Sequence, residues 1–254
     1  MALGRNPAVP VNLGTGIPLD MLLGDPEVSA VSAGPVWTGG GYWTADGVGY
    51  WTGPTLAAPA IEIVVRYTQP DGSTRNIWGA PAATYYLRGY AHSGGDVASV
   101  VHTASAWAAA VGTGNHTAFF SQVPQSGGWS PRITADGASE ATTTAYRTFS
   151  AAAYTLYVGA LSNSTPAVAG LLLWDVTVYQ RALTPTERTN IYAAGVQTNP
   201  LTIAADAFAC WDFANAYDNG GTPTVPDLVL GDGTRDLIGT SVDIGSDITT
   251  GATF

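Results

Sequence analysis

The side chains of this chain that could do covalent chemistry are few and scattered. It has four Glu, at 27, 62, 140 and 187. Cleaving a glycosidic bond needs two carboxyls roughly 5 to 10 Å apart. Acids at alternate positions of one strand supply that most simply, because alternate side chains share a face. Glu27 alone among them has an acid two residues away, in Asp25-Pro26-Glu27, and that pair straddles a proline. Glu62 stands between Ile61 and Ile63 with no acidic neighbour. His92, His102 and His116 are too far apart for a helical ligand pair, and no Ser lies in a Gly-x-Ser-x-Gly run. Gly39-Gly40-Gly41 leads into Tyr42-Trp43, a strand pattern, so it reads as a turn and not as a phosphate loop. The inventory argues against an enzyme.

Binding chemistry is better supplied. The chain carries eight Trp and twelve Tyr, and aromatic rings offer flat apolar faces with a polar edge. Trp37, Trp43, Trp51, Trp78, Trp107 and Trp129 therefore invite a sugar-stacking reading. Trp43 and Trp51 fall in strand-like segments and are expected in the core. Trp78 and Trp129 each stand beside Gly in what reads as a loop, with Asn76 and Gln125 nearby as amide partners. These four are the candidate contacts to a glycan or to a protein interface. The single cysteine, Cys210, excludes an intramolecular disulfide and a Cys-cluster metal site, and reads as a small buried hydrophobe.

The elements that must position these residues are mostly strands. Thirty-one Gly and sixteen Pro in 254 residues leave little room for helices. Between them lie short segments rich in Val, Ile, Thr, Tyr and Trp, the pattern of a sandwich or barrel. In 61–67, alternation puts Ile61, Ile63, Val65 and Tyr67 on one face and Glu62, Val64 and Arg66 on the other. Asp-Gly pairs at 46, 71, 136 and 232 are turn signals. One helix is well specified: Thr184 as N-cap, Pro185 at the first position, Glu187 completing a capping box and Gly195 at the end. Ile191 and Tyr192 are expected to plug one end of the sandwich. Residues 1–36, with five prolines and no periodicity, read as an extended arm; 37–198 as the sandwich; 199–254 as a β-rich extension.

Charge narrows the partners. Only 11% of positions are charged, the formal net charge is −10, and all nine cations are Arg. Such a surface repels phosphate backbones, which speaks against nucleic acid. No apolar run approaches a membrane span, and the first twenty residues lack the continuous apolar stretch of a signal peptide.

A family likeness enters at Gly170-Leu171-Leu172-Leu173-Trp174-Asp175-Val176-Thr177-Val178-Tyr179-Gln180-Arg181-Ala182-Leu183, followed by the capped helix. This order resembles the closing half of a laminin-G-like, concanavalin A-like jelly roll. Leu173, Asp175, Val176, Val178, Tyr179, Arg181, Ala182, Leu183 and Glu187 fall on the family's positions, while its leading Gly is displaced by one, to Gly170. Ala45 to Trp51 and Ile61 to Tyr67 resemble two early strands, so the likeness spans roughly residues 40–196. It implies an all-β antiparallel sandwich with one short helix and flanking arms, and says little of function.

Many members hold Ca²⁺ at the rim, which draws attention to Asp212, Asp218, Asp227, Asp232 and Asp236, and to Asp96 and Asp136. None has the spacing of a dedicated calcium loop, so they read as turn formers, with no metal or other cofactor required. Enzymatic members resemble glucanases with Glu-x-Asp-x-Glu on one strand, a run this chain lacks. The Pro-rich arm and the Ala/Gly/Thr-rich, Lys-free composition resemble virion proteins of tailed phages. That likeness implies a non-enzymatic minor tail or capsid decoration protein, located in the virion and assembling in many copies with other virion proteins. Host-glycan adhesion is the companion or alternative role, and a glycan hydrolase the remote one.

Overall fold

The computed structural model describes residues 36–56, 62–81, 86–93, 96–101, 104–108, 112–126, 128–145, 153–162 and 165–252. They belong to one compact unit, Pro35–Phe254. Of the arm expected over 1–36, residues 1–35 lie outside the described residues.

Two antiparallel sheets face each other, as an all-β jelly-roll sandwich. The eight-stranded sheet runs β10 (Ala141–Thr142), β9 (Gly128–Ala135), β8 (Gly114–Gln125), β3 (Glu62–Gln69), β14 (Leu172–Tyr179), β1 (Tyr42–Thr44) and β19 (Ile248–Thr249), with β15 (Ala209–Asp212) also on β14. The nine-stranded sheet runs β16 (Tyr217–Asp218), β17 (Pro223–Val225), β18 (Leu237–Thr240), β2 (Tyr50–Leu56), β11 (Tyr154–Val158), β4 (Arg75–Pro81), β5 (Tyr86–Ala91), β6 (Val97–Val101) and β7 (Ala104–Ala108). Strands from the expected extension over 199–254 enter both sheets, β15 on β14, β18 on β2 and β19 on β1.

The inner faces supply the core. Ile63, Val65 and Tyr67 of β3 join Trp43, Trp51, Trp78, Trp211 and Phe120, all buried. Trp43 and Trp51 meet edge to face at 6.1 Å, as their strand patterns imply. Cys210 is buried in β15 beside the Thr177 hydroxyl, and burial pushes its thiol pKa up.

The alternation in β3 also fixes the helix. Val64 faces outward, directly across from Phe119 of β8, and this apolar pair needs cover. Helix α1 (Pro185–Ala194) supplies it: Ile191, buried to 1%, packs with Val64, Phe119, Tyr179 and Leu183. The capping box of Thr184 and Glu187 forms as the sequence implies, and Gly195 takes φ 62° at the C-terminus. The helix therefore lies on the outer face of the eight-stranded sheet and does not plug an end of the sandwich. Tyr192, the next position and about 100° around the helix, is 41% exposed. No described helix is long and apolar enough to cross a membrane.

Candidate functional site

Strand alternation separates the residues singled out as binding contacts. Trp78 is in β4, not in a loop, and is fully buried, edge-on to Phe120 at 5.9 Å. A register shift between Asn76 and Trp78 leaves Asn76 opposite Tyr90 on the outer face, while Trp78 sits opposite Gly89 on the inner one. Trp129 and Gln125 lie at the closed end of the β8–β9 hairpin, but Trp129 pairs with Pro124 and Gln125 with Gly128. They too occupy opposite faces. Half-buried Trp129 packs against the core and Gln125 is exposed.

The aspartates act on backbone amides. Asp212 accepts from Thr38 N and Gly39 N, each at 2.8 Å, and from Ala214 N. Buried Asp227 accepts from Cys210 N, Val229 N and Leu230 N, and its own N–H donates to Asp236. Asp218 and Asp232 each close a local turn, and Asp136 holds Thr117 N and the His116 ring. Among the described residues, no group of three or more His, Cys, Asp or Glu is placed to hold a metal ion.

What the sequence did not suggest is a meeting of two glutamates. Glu62, on the outer face of β3, is fully buried, and its carboxylate accepts from Arg188 Nε at 2.6 Å, Arg188 Nη2 at 2.9 Å and Leu183 N at 2.7 Å. Arg188 also donates from Nη1 to Glu140 at 2.6 Å and from Nη2 to Ser121 Oγ at 3.0 Å. Arg132 Nη1 reaches the other Glu140 oxygen at 3.0 Å. Two cations and two anions thus alternate from β9 to the buried foot of α1. Burial raises the Glu62 pKa, opposed by the Arg188 hydrogen bonds. The available signal was an acid on the helix-covered face of an apolar strand, since a buried carboxylate requires a partner.

Two members of the network, Arg188 and Glu140, line a pocket of about 360 Å³ between α1 and the 136–140 loop, together with Phe119, Thr134, Gly137, Ser139 and Thr189 among others. Chemically the glutamates are engaged, not poised. Glu62 has no exposed oxygen with which to meet a substrate, and both Glu140 oxygens accept from arginine.

The opposite face of the molecule has a different character. One register row across the nine-stranded sheet reads Tyr217, Thr224, Ile238, Thr52, Tyr157. Its neighbours Leu237, Trp51 and Val158 are core, so the row faces outward. Tyr217 and Ile238 are exposed with Thr224 between them buried, Thr52 and Tyr157 are half-buried, and the Tyr50 ring lies 5.9 Å from that of Tyr157. Further along the same face are Asn76 and Arg88, the latter 4.4 Å above the Tyr90 ring.

No family model and no curated protein matches the chain. Solved structures do. It is similar to a "putative carbohydrate binding protein" from Bacteroides ovatus, with a TM-score of 0.57 at 10% identity over 85% of this chain. The match spans 61% of that protein's length. Domains LG4-5 of the mouse laminin alpha1 chain give 0.42 at 14% identity, covering 65% of this chain and 48% of that one. A heptameric SAP-like pentraxin from Limulus polyphemus gives 0.41 at 14%, covering 65% and 82%. At such identities the first match establishes a shared fold.

Proposed function

We propose that this chain is a non-enzymatic, lectin-like carbohydrate-binding module. The observation that carries the reading is the outward row Tyr217–Ile238–Thr52–Tyr157, with Tyr50 beside it. Adjacent strands are about 4.8 Å apart, so the row spans about 19 Å across five strands, with the Tyr217 and Tyr157 rings at its ends, Ile238 and Thr52 between them and Thr224 buried. Apolar sugar faces stack on the rings and sugar hydroxyls meet threonine and amide groups. The carbohydrate-binding description of the Bacteroides protein of similar fold supports the reading. So does the engagement of Glu62 and Glu140 with arginine, which leaves binding as the simpler chemistry. A glycan array followed by calorimetry on the hit tests it. Tyr157→Ala and Tyr217→Ala should each weaken binding about 5- to 150-fold, by 1–3 kcal/mol as for other ring-stacking contacts. Binding to no glycan, or binding untouched by both changes, overturns the reading.

A second reading places the module on a tailed-phage particle, in many copies with other virion proteins, where it attaches the particle to host surface glycans. The lysine-free, low-charge composition favours it, as do the exposed Val36, Val48, Val168 and Leu230, which cost little to desolvate at an interface. Mass spectrometry of purified particles, with copy number, decides it; absence from every particle sinks it.

A further inference from the structure

The pocket beneath α1 lies on the other sheet from the tyrosine row and is built from different chemistry. Arg188 and Glu140 line it, the middle pair of the Glu62–Arg188–Glu140–Arg132 chain, whose formal charges cancel. Among the described residues, four of the five guanidinium N–H groups of Arg188 have acceptors: three go to Glu62 and Ser121 and one, from Nη1, to Glu140. The second Nη1 proton is a donor left over. Thr134, which lines the pocket, is 92% buried, and its hydroxyl has no hydrogen-bond partner among the described residues. A buried hydroxyl without a partner costs free energy that a ligand can recover. Ser139 and Thr189 add exposed hydroxyls, and the Tyr192 ring stands against Gly137 beside the opening, at 3.0 Å from where a Cβ of residue 137 would be.

We infer that this pocket is a second ligand site, selective for a neutral, polyhydroxylated group of the size of one or two sugar residues. The volume of about 360 Å³ is at the small end of ligand sites. The charge balance decides the class. An anion entering would meet Glu140 with Arg188 already neutralised by two carboxylates, and a cation would meet Arg188 with Glu140 already neutralised by two arginines. A neutral polyol faces neither penalty and can both accept from Arg188 and donate to Glu140. Because Arg188 is held by ion pairs that lead to β3 and β9 and by a hydrogen bond to Ser121 of β8, little ordering accompanies binding.

The inference rests on the carbohydrate-binding reading for its ligand class, and the test keeps the two apart. Amide spectra of the full chain are followed while glucose, galactose, mannose and N-acetylglucosamine are added, with glucosamine and glucose 6-phosphate as the charged counterparts. The expected result is saturable shifts at Ser139, Glu140 and Thr189 with at least one neutral sugar, stronger than with either charged one. Ser139→Trp, a filling change at an exposed position, should abolish those shifts with the melting temperature unchanged. Thr134→Val should weaken binding about 2- to 10-fold without lowering the melting temperature, which a purely structural hydroxyl would not do. If neutral sugars shift only the tyrosine row, or bind Ser139→Trp as well as the parent, the pocket inference fails and the lectin-like reading stands. If the parent binds no sugar at either place, both fall.

Discussion

Trp78 and Gly89 face each other across the β4–β5 ladder, and the indole occupies the space a side chain at 89 would need. A Cβ there would fall 2.2 Å from Trp78 Nε1 and 2.5 Å from the Phe120 ring. Gly89→Ala should therefore destabilise by at least the 1–3 kcal/mol typical of an overfilled core. Urea unfolding checks it through the midpoint, and an unchanged midpoint would show that the two rings can move aside.

That pair also shows where the sequence stops being legible. Ile63, Val65 and Tyr67 alternate with Glu62, Val64 and Arg66, and the structure keeps both faces as read, because period two in a strand needs no tertiary context. The capping box of α1 is equally local. Trp78 beside Gly79 looked like a loop because glycine usually breaks structure. Here Gly79 lies under the backbone of Leu161 in the short strand β12 (Ala160–Ser162), 2.3 Å from where its Cβ would be. The glycines on either side of that indole mark close approach. Likewise nothing local ties Glu62 to Glu140; their meeting needs β3, β8 and β9 in order and a helix laid over them.

Ile191 and Tyr192 are adjacent in sequence and opposite in environment, one buried among Val64, Phe119 and Leu183 and the other 41% exposed. Ile191→Asp buries an unpaired charge against the sheet and should cost several kcal/mol, on the order of 3–5. Tyr192→Asp should fall within about 0.5 kcal/mol of the parent. Thermal melts of the two variants compare them directly. Equal losses would mean the helix does not dock through Ile191.

Acid sensitivity should reside partly in the helix N-terminus. Glu187 accepts from both Nη atoms of Arg181 and from Thr184 N, and these bonds hold its carboxyl down to about 2 from an ordinary 4.5. A depressed acid stabilises the fold above its unfolded pKa, and that contribution is lost as pH falls through its folded one. The loss should therefore run from about pH 4.5 down to about 2. Glu187→Gln should be less stable than the parent at pH 7 and show a flatter decline over that window. Parallel stability curves for the two proteins would remove Glu187 as the source.

The last expectation concerns Glu62 and Glu140, the pair a glycosidase reading would seize on. Both contact Arg188, but their burial differs: the Glu62 side chain is inaccessible and that of Glu140 is 26% exposed. A catalytic acid must reach the glycosidic oxygen, and Glu62 cannot do so while Arg188 and Leu183 N hold it beneath the helix. Its job is to neutralise a guanidinium that α1 brings down onto the sheet. Removing one partner of a buried ion pair costs about 3–5 kcal/mol, because the other charge is left uncompensated. Glu62→Gln should approach that loss. Glu140→Gln should cost closer to 1 kcal/mol or less, as expected for a pair near solvent. Neither change should alter reducing-sugar release from polysaccharides, which is expected to be nil in the parent. A parent that releases sugar, and loses that activity in Glu140→Gln while keeping its melting temperature, would turn the network from a structural tie into catalytic machinery.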